Sequence, residues 1–170
     1  GKLKDLTKKN SRTMIRIPAG LQPRGAIGYL FLPAYLALDK LSIITLDPRD
    51  MEEALDLIKE KAGLYRREVG TDENPAKKLA LKISDHLPII YGTEGLLTAV
   101  AYRLKCEFNE NSKTPCWCSV FPELNHNETV GWERLKEITG KFVLLVFRDN
   151  DEKIRLKTRI EVTSGLIKEN

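Results

Sequence analysis

Leu87-Pro88-Ile89-Ile90-Tyr91-Gly92 runs into Thr93-Glu94-Gly95, and a helical stretch then leads to a second short apolar run, Cys116-Trp117-Cys118-Ser119-Val120-Phe121. The first run has the length, apolar content and bounding turn residues of a buried strand. Residues 96–109 set Leu97, Val100, Ala101, Leu104 and Phe108 on one stripe with the 3.6-residue period of a helix. Parallel strands need a crossover long enough to return the chain to the same edge, and a helix of this length supplies it. Strand, helix and strand joined by short turns therefore predict an α/β fold, a mainly parallel sheet with helices on both faces.

Working outward, residues 142–147 read as a further strand, with helices over 129–138 before it and 151–160 after it. The β-branched stretch 160–167 reads as a final strand cut short. Upstream, amphipathic helices are expected over 50–67 and 74–83, separated by the loop Gly70-Thr71-Asp72-Glu73; Asn74 is placed to cap the second and Pro75 to occupy its first position. Residues 26–38 are apolar nearly all round, so a helix there must be covered on several sides. Its shortness and the internal Pro33 argue against a membrane span. Residues 14–18 alternate Ile15 and Ile17 with Arg16 as a short strand would, and residues 1–10 read as a short polar helix. There are no internal repeats, and the sequence reads as cut at both ends.

The composition is that of a globular protein, 42% hydrophobic and 31% charged over 170 residues. A net charge of +4 arises from basic residues dispersed among acidic ones, which argues against a nucleic-acid surface and is compatible with an anionic metabolite. Three cysteines give no disulfide framework, and with no signal peptide the expected compartment is the cytoplasm. Cys116 and Cys118 share one face of their strand. A metal site joining them to Cys106 and His126 is conceivable, but the C-x-C spacing matches zinc sites poorly, and small apolar packing is the simpler reading.

Two runs beside the second strand carry the chemistry: Phe108-Asn109-Glu110-Asn111-Ser112-Lys113 before it and Pro122-Glu123-Leu124-Asn125-His126-Asn127-Glu128 after it. Glu110 and His126 can both move protons near neutral pH. The short connection between them suggests that both tips lie on the same rim of the sheet, where open α/β sheets bind ligands. Taken singly, a glutamate at a helix end is usually solvated, a histidine between asparagines usually a loop or cap residue, and an arginine just inside a helix usually a surface group. Glu123 and Glu128 read as structural or capping residues, and His86 as the end of a helix.

Those runs, together with Leu21-Gln22-Pro23-Arg24-Gly25-Ala26-Ile27-Gly28-Tyr29, Tyr91-Gly92 and Ala99-Val100-Ala101-Tyr102-Arg103, resemble the bifunctional phosphoglucose/phosphomannose isomerases of the sugar isomerase (SIS-domain) superfamily. The likeness extends over nearly the whole chain with its motifs in the family's order. It implies a flavodoxin-like three-layer sandwich. It also implies a division into the tail of a preceding SIS domain (1–18), a connecting apolar helix (19–48) and a C-terminal SIS domain (49–170). The family's phosphate-holding loops would lie upstream and its catalytic lysine downstream, so this piece alone is expected to be inactive; Lys168 precedes the helix that would carry that lysine.

The resemblance further implies an activity: interconversion of glucose 6-phosphate, and mannose 6-phosphate, with fructose 6-phosphate, without metal or redox cofactor. Glu110 would shuttle the C1/C2 proton, His126 would open the sugar ring from the neighbouring subunit of a homodimer, and Arg24 would steady the enediolate. Asn109, Asn111 and Asn125 would fix the loops or touch sugar hydroxyls. The turn Tyr91–Gly95 would sit at the margin of the substrate. The competing readings are a non-catalytic phosphosugar-binding SIS module, which has no need of Glu110 and His126 together, and a dimerisation unit built on the apolar helix.

Overall fold

The computed structural model describes residues 1–169. The chain forms two compact units, Gly1–Arg66 and Arg67–Asn170. The first is wholly helical: α1 (Lys2–Lys9), α2 (Ile27–Lys40) and α3 (Pro48–Leu64), with a 3₁₀ turn Pro23–Gly25 ahead of α2. Asp47 caps α3 by accepting from the backbone N–H of Arg49, and Pro48 fills its first position. The expected strand over residues 14–18 is not formed. No strand exists within the described residues of this unit to pair with it, and an isolated alternating segment has no ladder to satisfy its backbone. The all-round apolar character of α2 leaves Ile27, Tyr29, Leu30, Phe31, Leu36 and Leu38 exposed, and Phe31 stacks on Tyr35 with ring centroids 5.2 Å apart.

In the second unit α4 (Pro75–Ile83) begins as anticipated, with Asn74 accepting from the Lys77 N–H at 3.1 Å. Three strands follow, β1 (Leu87–Thr93), β2 (Trp117–Phe121) and β3 (Phe142–Val146), in the order β2-β1-β3 and all parallel. Ile90 pairs with Cys118 on one side and Leu145 on the other, so β1 is the central strand and is apolar on both faces. α5 (Leu96–Glu107) covers one face, where Ile90, Ala101 and Cys116 meet Leu104, Phe108, Leu145 and Phe147. The other face packs Tyr91, Phe121, Leu124, Trp132 and Ile160 with Leu144 and Val146. Adjacent strand residues thus serve opposite layers, as the pleat requires. At the crossing of α5 on β1, a Cβ on Gly92 would stand 2.6 Å from the Leu97 carbonyl oxygen; only glycine permits that approach.

Two expectations toward the end of the chain need correction. A short helix, α6 (Leu124–Asn127), comes first, and the helix expected over 129–138 is two short pieces, a 3₁₀ turn Thr129–Glu133 and α7 (Lys136–Thr139). Leu135 takes a left-handed φ of 56° between the last two, so no continuous helix can pass through it. The stretch 160–167, expected as a strand, belongs to α8 (Ile154–Glu169). Ile160 and Thr163 are buried and Ile167 is half-buried. Their spacing is that of one helical face, and docking that face on the sheet outweighs the β propensity of the side chains.

Candidate active site

Glu110 sits in a five-residue π-helical turn, Phe108–Ser112, that prolongs α5 and ends at Lys113 in the left-handed conformation. Turns of this kind widen a helix by one residue and recur at functional positions. Two asparagines hold it. Asn109 Oδ1 accepts from the backbone N–H of Cys116 at 3.0 Å, tying the turn to the start of β2. Asn111 Nδ2 donates to Glu107, which also pairs with Arg103. Lys113 Nζ donates to the Glu110 carbonyl at 2.5 Å. The Glu110 side chain is left exposed.

His126 lies in α6, directly beyond β2 and the cis Phe121–Pro122 bond. Its N–H donates to the Glu123 carbonyl at 2.8 Å, Leu124 anchors the turn in full burial, and the imidazole faces solvent. Asn127 Nδ2 donates to Glu123 Oε1 at 2.6 Å, which gives Glu123 its structural part. Asn125 is bonded to Thr129 and Thr163.

The expectation that Glu110 and His126 share one rim is not met within a chain. α5 starts where β1 ends and runs back beneath the sheet, so Glu110 is delivered to the edge where the strands begin, beside Cys116. His126 follows the other end of β2, where the Glu94 N–H meets the Phe121 carbonyl at 3.1 Å. A five-residue strand separates them by about 17 Å. The error lay in counting a short connection without its direction: a helix returning from one edge must end at the opposite one. Neighbours of the two groups line separate grooves. Phe108 and Ser112 line one of about 410 Å³ with Ile83, Asp85 and His86, and Asn125 and Thr129 line another of about 580 Å³ against α8.

Arg24 is half-buried in the 3₁₀ turn of the first unit, with Pro23 ahead of it. The three cysteines are free thiols. Burial pushes Cys116 up to about 11 and raises Cys118, so both rest as neutral, small packing groups. Among the described residues no group of three or more His, Cys, Asp or Glu side chains could hold a metal ion, and no helix is long and apolar enough to cross a membrane. Thr163 and Arg159, which reach Asn125 from α8, were not legible as site residues: Thr163 lies in a stretch that reads as a strand on composition, and Arg159, in an expected helix, has nothing local that ties it to Asn125.

A three-stranded parallel sheet flanked by helices makes the second unit an α/β domain, in agreement with an SIS fold. The chain belongs to the family described as the bacterial phosphoglucose isomerase C-terminal SIS domain, whose profile it matches over residues 72–170. It is 41% identical over 99% of its length to half of a bifunctional phosphoglucose/phosphomannose isomerase of Caldicellulosiruptor bescii. It is 39% identical over 95% of its length to 48% of the protein of the same name from Thermoplasma volcanium. A D-glucosamine-6-phosphate 4-epimerase of Sulfolobus acidocaldarius is 32% identical over 75% of the chain and 38% of its own length. The chain thus spans about half the length of the curated relatives it matches. No solved structure gives a significant match.

Proposed function

We propose that this chain is the C-terminal SIS portion of an aldose–ketose isomerase acting on glucose 6-phosphate, and on mannose 6-phosphate, to give fructose 6-phosphate in the cytoplasm. Residues 1–18 are then the tail of a preceding SIS domain, 19–48 the connecting helix and 49–170 the C-terminal domain. His126 protonates the ring oxygen as the anomeric hydroxyl loses its proton, opening the sugar. The Glu110 carboxylate takes the C2 proton of the open aldose, leaving a cis-enediol(ate), and returns it to C1 while the O2 hydroxyl proton passes to O1, so that the carbonyl moves from C1 to C2. The Arg24 guanidinium offsets the negative charge developing on the enediolate oxygens. The glucose and mannose epimers converge on one enediolate, so a single base serves both.

The observation that carries this reading is the placement of an exposed carboxylate and an exposed imidazole at opposite ends of β2. Within one chain they cannot contact a single sugar. In a homodimer that sets the β2 end of one subunit against the α5 end of the next, they can, and the site is completed in trans. The relatives' names, each that of an enzyme for a phosphorylated sugar, support the substrate class.

The test is Glu110→Gln in the full-length protein. Proton transfer by a positioned base contributes about 10²- to 10⁴-fold, so fructose 6-phosphate turnover should drop by that factor, and C1/C2 exchange in deuterated water should drop with it. Undiminished turnover would overturn the assignment. Absence of any exchange in the unaltered protein would favour a phosphosugar-binding module.

A further inference from the structure

Thr163 lies on α8, remote in sequence from both site motifs, and is only 3% exposed. Its hydroxyl oxygen accepts a 2.7 Å bond from Nδ2 of Asn125, the residue immediately before His126. The same nitrogen donates to Thr129 Oγ1 at 3.2 Å, and Asn125 Oδ1 accepts from Arg159 Nη1 at 3.4 Å. Thr129 in turn donates to the Leu124 carbonyl at 3.5 Å. A carboxamide offers two hydrogens and one carbonyl; here both functions are engaged, from two separate elements.

We propose that Thr163 is a positioning residue for His126, acting through Asn125. This rests on the reading of His126 as the ring-opening group. Burial of Leu124 and the backbone bonds of residues 122–128 secure the existence of the turn. They leave its rotation about the Leu124 anchor to be set by something farther out, and the Asn125 clamp lies on the residue next to the imidazole. Water does not compete for a hydroxyl as buried as that of Thr163, so the contact is firmer than the exposed Arg159 bond. α8 thereby sets the direction in which the imidazole leaves the sheet edge. A catalytic group misplaced by about 1 Å can lose on the order of 100-fold in rate.

The experiment uses the full-length protein with Thr163→Val, Thr163→Ser, His126→Ala and the Val/Ala double variant, assayed on fructose 6-phosphate. Valine keeps the volume and removes the acceptor; Asn125→Asp, which keeps the shape and removes the donors, stands in should Thr163→Val fail to fold. For Thr163→Val, kcat should fall about 10- to 100-fold with KM within about twofold, the pattern of lost alignment. Serine should restore kcat to within about threefold, and valine should cost nothing further once His126 is alanine. A kcat for Thr163→Val close to wild type overturns the proposal. So does a loss that multiplies with that of His126→Ala, or a serine variant as slow as valine. An unimpaired His126→Ala defeats the ring-opening role itself, whereas a crippled His126→Ala beside an unaffected Thr163→Val defeats only the positioning role.

Discussion

Two inactive proteins should make an active one. Proton transfer requires contact of about 3 Å, whereas the strand between Glu110 and His126, five residues long, spans about 17 Å. On the proposed function, a site that uses both draws them from different chains. In a dimer of Glu110→Gln with His126→Ala, one of the two sites holds both native groups and the other holds neither. Tandem purification of full-length heterodimers carrying two different tags should yield about half the wild-type rate, and random reassociation of the two variants about a quarter, as two-fold symmetry dictates. Each homodimer retains neither complete site, and its rate should be lower by about 10²- to 10⁴-fold, so recovery stands far above background. The assay is fructose 6-phosphate formation from glucose 6-phosphate at equal total protein. Heterodimers verified by both tags yet no faster than their parents would refute the trans arrangement.

Three further outcomes follow from the packing. Gly92→Ala places a methyl 2.6 Å from the Leu97 carbonyl oxygen and 3.2 Å from the Ala101 Cβ; moving α5 off β1 should cost about 1–3 kcal/mol in urea unfolding of the chain. Tyr91→Phe strips the buried Trp132 Nε1–H of its 3.1 Å acceptor, at a cost of about 1–3 kcal/mol. Burial chiefly holds the Tyr91 phenol far above its ordinary range. The stability this adds is complete below the unfolded value of about 10 and is lost as pH rises past it, so the wild type should weaken between pH 8 and about 11 while Tyr91→Phe does not share that part of the loss. Glu152 lies below the usual carboxylate range chiefly because the Arg148 guanidinium bonds it. Its contribution is present above the unfolded value and disappears as pH falls through the folded one, so the gap in urea midpoint between wild type and Glu152→Gln should close on acidification. With Arg148 well exposed, the corresponding difference in unfolding free energy should be under about 1 kcal/mol.

The βαβ unit was legible because its signals are local. Ile89, Ile90 and Tyr91 form an apolar run, Gly95 breaks it with a φ of 96°, and the stripe from Leu97 to Phe108 shows the period of a helix. The Asn74-Pro75 start of α4 was legible for the same reason. The end of the chain was not. Ile160, Val162 and Thr163 favour strands as isolated residues, and only docking, of Ile160 into the core and of Thr163 on Asn125, makes them helical. Residues 14–18 erred likewise, since a strand exists only where a partner strand does.

For the site, sequence alone determined which groups can transfer protons, Glu110 and His126, and bracketed them around one strand, because residue chemistry and motif order are written in the chain. Where those groups stand relative to each other was decided by the tertiary structure. The direction of α5 under the sheet sends Glu110 to one edge and leaves His126 at the other. The hold of Thr163 on Asn125 spans 38 residues of chain and arises only once α8 has docked. Direction and docking depend on contacts between segments that no local pattern encodes.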